Sequence, residues 1–277
     1  MTLTGIRIVS TAVNVPGPVA AATLRDMGAS VVKVEPPAGD PLAFAPQWYA
    51  SLCEGIDVRR IDLKSPPGRA QLDDVLADAD LLITAARPGS LQRLGLARDD
   101  VRAKHPRLCY VAIHGYPGAR AELAGHDLTY QTDAGLVTPP TLPRTLIADM
   151  AGAQRVVISA LELLLARERT GEAGYAEVAL SDAAYAFAEP LRHGLTATDG
   201  WLGGGVAAYN IYPAREGWVA VAALEPHFRS ALAQALDVNA DDPKALAQVL
   251  AERTADEWEQ WAIERGLPLA AVRERHA

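Results

Sequence analysis

Short apolar runs alternate with amphipathic segments along the first 180 residues of the chain. Isoleucine and valine at close spacing predict a buried strand over residues 6–10. A helix is expected to begin near Pro18, because proline suits the first helical turn, and to end at Gly28, which suits a left-handed cap. Residues 30–35 predict a second strand. Because strand–helix–strand crossovers are right-handed, the two strands should be parallel neighbours.

The same alternation continues along the chain. It predicts strands at residues 60–63, 81–84, 108–113 and 176–180, and helices at residues 67–77 and 99–104 and near Ser181. The longest helix is predicted over residues 150–169, starting at Asp149 and ending at Gly171. The pattern therefore predicts an α/β fold, an open doubly wound (Rossmann-like) parallel sheet with helices on both faces.

Three consecutive glycines at residues 203–205 interrupt this pattern. They indicate a large domain over residues 1–200 and a smaller C-terminal α+β domain over residues 201–277. In the smaller domain, residues 209–223 predict two short strands around a turn, and the rest predicts helices. One of these helices carries a capping-box pattern that begins at Thr254.

The formal charge of -8 at pH 7 excludes nonspecific binding of nucleic acid, which requires a basic face. Cys53 and Cys109 stand apart without CxxC spacing, so neither a disulfide framework nor a zinc site is predicted. No run approaches the ~18 apolar residues of a membrane helix. The N-terminus enters a strand without a signal-peptide pattern. We expect a soluble cytoplasmic protein that does not bind membranes.

Four sequence signatures of common enzyme classes are absent. The first strand is not followed by GxGxxG, and GxxxxGK[ST], HExxH and GxSxG do not occur. This removes the usual signatures of nicotinamide, ATP, zinc-hydrolase and serine-hydrolase chemistry. A fold of this class permits many activities. Residue patterns alone therefore indicate an acidic α/β enzyme of unknown substrate.

Several blocks follow one another in a specific order. They are Gly5-Ile6-Arg7-Ile8-Val9, Gly17-Pro18, residues 24–37, Ile61-Asp62-Leu63-Lys64-Ser65, Arg87-Pro88-Gly89-Ser90-Leu91 and Pro106-Arg107-Leu108. Further along stand Ala124-Gly125-His126-Asp127-Leu128, Ala148-Asp149 and residues 165–171. Together these blocks resemble the family III CoA-transferases, the group that also contains alpha-methylacyl-CoA racemase. The histidine in the later group resembles the racemases, where many transferases carry tyrosine.

The resemblance implies an acyl-CoA substrate and a catalytic pair, His126 and Asp149. In racemase chemistry the two groups flank the carbon next to the thioester carbonyl and move its proton. In transferase chemistry Asp149 instead attacks the thioester as a nucleophile, and the helix N-terminus helps to keep it ionised. Glu225 lies in a block similar to a racemase stretch near the catalytic histidine. The resemblance implies a homodimer, no metal, and no cofactor beyond the coenzyme A of the substrate.

Coenzyme A carries phosphates that require cations, and open α/β sheets bind ligands at strand ends. Arg87 is the first candidate because it lies in the matching Arg-Pro-Gly block. The full set of candidate contacts with coenzyme A is Arg87, Lys33, Arg59, Arg60, Gly125, Asp127 and Tyr130.

Other interpretations remain open. Asp149 could be an ordinary helix cap, and His126 a turn residue. The chain also departs from the family: residues 55–58 are acidic where the family has a basic stretch, and Ala277 ends the chain where longer relatives continue. The alternative hypothesis is therefore a catalytically degenerate member that binds coenzyme A or a partner.

Overall fold

The computed structural model describes residues 2–273. They form two compact units, one within Met1–Ala188 and one within Glu189–Ala277. The glycines at residues 203–205, where the sequence predicts a change of domain, lie inside the second unit. Residues 274–277, at the end of the predicted shortened C-terminus, fall outside the described part. Across residues 2–273, no helix is both long and apolar enough to cross a membrane.

A six-stranded sheet organises the first unit. Its strands are β1 (Arg7–Ser10), β2 (Ser30–Glu35), β3 (Asp57–Arg60), β4 (Leu81–Thr84), β5 (Cys109–His114) and β6 (Tyr175–Ala179). All neighbours are parallel, and the order is β3-β2-β1-β4-β5-β6. This is the order of Rossmann-like folds, so the predicted fold class is confirmed. The strand order reverses between β1 and β4.

Helices cover both faces of this sheet. They are α1 (Pro16–Asp26), α2 (Pro46–Cys53), α3 (Pro66–Leu76), α4 (Pro88–Arg93), α5 (Arg98–Lys104), α6 (Asp127–Asp133), α7 (Ile147–Thr170) and α8 (Leu180–Phe187). Successive strand residues point to opposite faces. Ile8 accordingly packs in one core with Leu24 of α1, whereas Val9 packs in the other with Leu72 of α3.

Several boundaries differ from the sequence prediction, most of them by one or two residues, and those of β3 and α7 bear most on the interpretation. Strand β3 lies three residues earlier than the predicted residues 60–63, because this edge strand is exposed along its length and Ile61, which is apolar, is buried just after it. Helix α7 begins at Ile147, so Asp149 is its third residue and not its start. Its end is as predicted, with Gly171 in the left-handed region at φ 76°.

Within residues 189–273, the second unit contains a small antiparallel sheet and four helices. The strands are β7 (Tyr209–Pro213), β8 (Trp218–Ala222) and β9 (Leu269–Ala271), and the helices are α9 (Glu189–Arg192), α10 (Pro226–Leu236), α11 (Pro243–Leu250) and α12 (Ala255–Ile263). The predicted pair of strands is confirmed as β7 and β8, whereas the three-residue β9 was not predicted. The capping box is also confirmed, since Thr254 and Glu257 exchange hydrogen bonds of 2.8 and 3.2 Å.

Candidate active site

A cavity of about 430 Å³ lies at the carboxyl ends of β1, β4 and β5. Asn14 after β1, Arg87 after β4 and His114 at the end of β5 contribute to its wall. These strands surround the point where the sheet order reverses. Open α/β sheets bind their ligands at this position, because the loops there diverge and leave a crevice. The cavity is therefore the candidate active site.

Five of the residues predicted from the sequence line this one cavity: Arg87, Gly125, His126, Tyr130 and Asp149. The structure thus brings the two catalytic candidates to one place. Glu225 belongs to the second unit, where it is the exposed residue immediately before α10. Its predicted catalytic role stays a prediction.

His126 is the exposed residue that precedes α6. Its backbone N–H donates to the hydroxyl of Thr129 at 3.1 Å, and the backbone N–H of Thr129 donates to the carbonyl oxygen of His126 at 2.8 Å. These bonds fix the backbone at the helix start. They place His126 at the cavity wall.

Asp149 is half-buried in the first turn of α7. Burial, and secondly the nearby charge of Asp127, raise the pKa of Asp149 to about 7. The position at a helix start predicts instead that the helix N-terminus helps to keep this carboxyl ionised. Desolvation and the like charge outweigh that helix effect. Both protonation states of Asp149 are therefore populated near neutral pH.

Asp127 fixes the backbone of Asp149 by a hydrogen bond. Its two carboxylate oxygens accept hydrogen bonds from the backbone N–H of Asp149 at 3.0 Å and from the side-chain amide of Gln131 at 2.5 Å. Gln131 also donates to the carbonyl oxygen of Thr145 at 3.0 Å. Because Asp127 is buried with both oxygens occupied, the structure gives it a positioning role instead of the predicted contact with coenzyme A. The sequence signal for Gln131 was its i+4 spacing from Asp127 on one helix.

Three predicted cations lie away from the cavity. Lys33 is fully buried and forms ion pairs with Glu35 and Asp40, so its charge is already neutralised inside the protein. A phosphate cannot replace these partners without exposing the cluster. Arg59 pairs with Asp57 at 2.6 Å on the exposed edge strand, and Arg60 follows it there. Arg87 is the predicted cation that does line the cavity.

Comparison with known proteins decides the family. The model of CoA-transferase family III matches residues 3–277. The chain belongs to CoA-transferase family III. The resemblance inferred from the ordered sequence blocks is thereby confirmed.

Family III relatives of two kinds are similar to the chain. A probable fatty acyl-CoA transferase of Mycobacterium tuberculosis is 32% identical over 66% of this chain and 51% of that protein. The chain thus spans about half the length of this relative. Human alpha-methylacyl-CoA racemase is 29% identical over 93% of this chain and 74% of the racemase. The relatives therefore include both a transferase and a racemase.

A solved structure agrees with the family III fold. The crystal structure of a hypothetical protein from Mycobacterium tuberculosis superposes with a TM-score of 0.85 at 26% identity, covering 98% of this chain and 84% of that one. A CAIB/BAIF family protein from Brucella suis gives a TM-score of 0.82 at 24% identity, covering 98% of this chain and 84% of that one.

Asn14 and His114 are two of the cavity-lining residues that the sequence did not indicate as site residues. Asn14 has φ 68°, and its N–H donates to Asp40 at 3.0 Å, so the buried cluster around Lys33 holds this part of the wall. The sequence pattern did not predict the positive φ of Asn14. His114 is a buried polar residue within an apolar strand. A histidine at the end of a predicted strand was the available signal.

Gly125 is required for the position of Tyr130. A Cβ on Gly125 would lie 2.5 Å from Cε1 of the Tyr130 ring, which is itself buried edge-to-face against Tyr116 with centroids 5.1 Å apart. We therefore expect Gly125→Ala to destabilise the protein by about 1–3 kcal/mol, the usual cost of overpacking. Urea unfolding measures this cost.

A double variant supplies the control for Gly125. In a Tyr130→Ala background the ring is gone, so adding Gly125→Ala should cost less than about 0.5 kcal/mol more. An equal cost in both backgrounds would show that the ring is not the obstacle.

Proposed function

We propose that the protein racemises an acyl-CoA thioester at the carbon next to the carbonyl, with His126 and Asp149 as its two acid–base groups. The observation that carries this proposal is the meeting of these two side chains in one cavity at the reversal point of the sheet. We further propose that Arg87 contacts a phosphate of coenzyme A, since it is an exposed guanidinium at the same cavity.

The proposed reaction is two proton transfers. One group removes the α-proton, the electron pair of the C–H bond forms a carbon–carbon double bond, and the π pair of the carbonyl moves onto the thioester oxygen to give an enolate. The other group then delivers a proton to the opposite face of the planar carbon. A carboxyl whose pKa is about 7 serves both directions, because it is present as acid and as base near neutral pH.

CoA transfer is the second candidate, favoured by the transferases among the relatives. In that reaction the Asp149 carboxylate attacks the thioester carbonyl, the C–S bond breaks and the CoA thiolate leaves. The thiolate then attacks the aspartyl carbonyl of the mixed anhydride, which releases the carboxylate of the acyl group and leaves CoA on Asp149 as a thioester. Two features favour racemisation instead: the raised pKa reduces the ionised nucleophile, and the Asp149 N–H already donates to Asp127 and is not free for an oxyanion.

Deuterium exchange separates the candidates. The chain is incubated in D₂O with one enantiomer of 2-methyldecanoyl-CoA, and mass spectrometry follows label at the α-carbon. Wash-in with formation of the other enantiomer supports racemisation. A mass increase corresponding to CoA on Asp149, without wash-in, supports transfer. If calorimetry shows that CoA binds, but neither reaction occurs with any thioester of a panel, the result supports the alternative of a catalytically degenerate family member.

The pH dependence of exchange reports the charge of Asp149. For the enantiomer whose α-proton faces Asp149, the carboxylate must be ionised to act as base. The value of kcat/KM should therefore fall about tenfold per pH unit below the pKa near 7. Asp127→Asn removes the like charge, so the acidic limb should move to lower pH.

A second aspartate of α6 provides the control for that profile. Asp133 is exposed and pairs with Arg120 at 3.2 Å, so Asp133→Asn should leave the limb in place. An unchanged limb in Asp127→Asn would mean that the charge of Asp127 does not act on the titrating group.

A further inference from the structure

The enolate of the proposed reaction carries negative charge on the thioester oxygen, and that oxygen needs a hydrogen-bond donor. Such a donor lowers the barrier most when it is fixed in place before the reaction. The backbone N–H of Asp149 does not serve, because it donates to Asp127 at 3.0 Å. Helix α1, which starts at the same cavity, has Pro16 and Pro18 at its first and third positions, and proline carries no N–H. The donor is therefore expected from a side chain.

Asn14 offers such a side chain. It is an exposed residue of the cavity wall. Its backbone N–H donates to Asp40, but no hydrogen bond to its side-chain amide is found among residues 2–273. The amide is neutral and carries two N–H donors. It can therefore donate to a ligand oxygen without giving up a partner in the protein.

The backbone of Asn14 is fixed by buried partners. Its φ of 68° lies in the left-handed region, which asparagine tolerates better than most residues other than glycine. The Asp40 oxygen that accepts from Asn14 at 3.0 Å also accepts from the N–H of Leu42 at 2.9 Å, and the other oxygen pairs with Lys33 at 2.6 Å. Asp40 is 4% exposed and Lys33 is fully buried. The main chain of Asn14 is thus held in place before a ligand binds.

Asn14 and Asp149 lie near the starts of two helices that pack together. Helix α1 begins two residues after Asn14, and Asp149 is in the first turn of α7. Val19 of α1 and Val157 of α7 belong to one core on the same face of the sheet. Because α1 follows β1 and α7 precedes β6 in a parallel sheet, both helices begin at its carboxyl edge. Asn14 therefore lies on the same side of the sheet as the proposed reacting groups.

We propose that Asn14 is a further catalytic residue, whose side-chain amide donates a hydrogen bond to the thioester oxygen and stabilises the negative charge that develops there. No proton moves to or from Asn14. This inference rests on the proposed function, because it takes the thioester to react between His126 and Asp149. It adds an electrostatic group to an acid–base pair that leaves the enolate oxygen without a donor.

Removing the side chain without disturbing the backbone tests the inference. Asn14→Gly retains the N–H that donates to Asp40, and glycine adopts a φ of 68° without strain. The value of kcat/KM for α-proton exchange of a 2-methylacyl-CoA should fall about 100-fold, the usual loss when one oxyanion donor is removed. Affinity for S-butyl-CoA, a thioether without that oxygen, should stay within about twofold of the wild type. Asn14→Asp tolerates the same φ but should also lose the rate, because an ionised carboxylate cannot donate.

Asp237→Gly is the matched control. Asp237 also has a positive φ, 54°, as the residue after α10, and it is not among the described residues that line the cavity. Its replacement by glycine should leave the exchange rate within about twofold of the wild type, because glycine accepts this conformation as well. Circular dichroism establishes that each variant is folded.

Binding without turnover separates the inference from the proposed function. Calorimetry compares butanoyl-CoA with S-butyl-CoA, which differ by a carbonyl in place of a methylene next to the sulfur. Both are measured in an Asp149→Asn background, which lacks the carboxylate that acts as base or nucleophile. With Asn14 present, the thioester should bind about fivefold more tightly than the thioether, the contribution of one neutral hydrogen bond. Adding Asn14→Gly should abolish this preference.

Three outcomes would overturn the inference: exchange in Asn14→Gly within about threefold of the wild type, weakening of S-butyl-CoA binding by the same factor as the rate, or a thioester preference that is absent or independent of Asn14. The first would leave asparagine a role in the turn alone, and the second would assign the contact to the pantetheine arm. If no thioester undergoes exchange or transfer but the preference depends on Asn14, the proposed function is overturned and the contact stands. If neither compound binds, both are overturned.

Discussion

Replacing Asp149 by asparagine is expected to lower the rate of α-proton exchange by about 1,000-fold, the usual contribution of a positioned general acid–base group. Asparagine has nearly the same shape and keeps the backbone hydrogen bond to Asp127, but it cannot take up a proton. The exchange rate of a 2-methylacyl-CoA in D₂O measures the effect. Retention of the rate within about threefold would remove Asp149 from the mechanism.

The matched control for Asp149 is Asp182. It is likewise an aspartate in the first turn of a helix, α8, but it is exposed and does not line the cavity. Asp182→Asn should leave the exchange rate within about twofold of the wild type, because it changes charge at a helix start without touching the site. The pair of variants therefore separates acid–base chemistry from the general effect of a first-turn carboxylate.

Stability provides a second readout for the same variant. The pKa of Asp149 is raised in the folded protein, from the ordinary 3.8 to about 7. A carboxyl with a raised folded pKa costs stability as pH rises through this interval, and the full cost is present above it. Asparagine removes the cost, so Asp149→Asn should be at least as stable as the wild type at pH 8. Lost activity with undiminished stability is the expected signature of a catalytic role.

The strands of the large sheet were predictable from sequence where they are buried on both faces. β4 has the predicted limits, because a continuous apolar run marks a central parallel strand. β2 also has the predicted limits, and its valines mark it although Lys33 and Glu35 interrupt the apolar run. Edge strand β3 lacks such a run and is exposed throughout, so the prediction shifted to the buried residues after it. The three residues of β9 are too few for a periodic pattern.

The candidate site was predictable to the extent that its residues follow strands or begin helices in sequence motifs. Arg87, His126 and Asp149 meet because parallel strands present their carboxyl ends at one edge. Partners that come from distant turns could not be predicted: Lys33 was expected at a phosphate, but Asp40 folds back beside it. The homodimer and the cytoplasmic location stay predictions.

The buried ion pairs of Lys33 with Glu35 and Asp40 are expected to make a large contribution to stability. Lys33→Met should lower the free energy of unfolding of the first unit by about 3–5 kcal/mol, because it leaves Glu35 and Asp40 buried without their cation. Urea unfolding at pH 7 measures the loss. Lys104→Met is the control, since Lys104 pairs with Asp73 at 2.8 Å in solvent and should cost at most about 1 kcal/mol.

Removing the charges of Glu35 and Asp40 should reverse much of that loss of stability. In the triple variant Lys33→Met, Glu35→Gln and Asp40→Asn, no ionised group of the cluster remains, so the unfolding free energy should lie above that of Lys33→Met alone. A triple variant no more stable than Lys33→Met would assign the loss to packing instead of charge. Because Asp40 also accepts the hydrogen bond from Asn14 at the cavity wall, Lys33→Met should weaken CoA binding as well, although Lys33 lies away from the site.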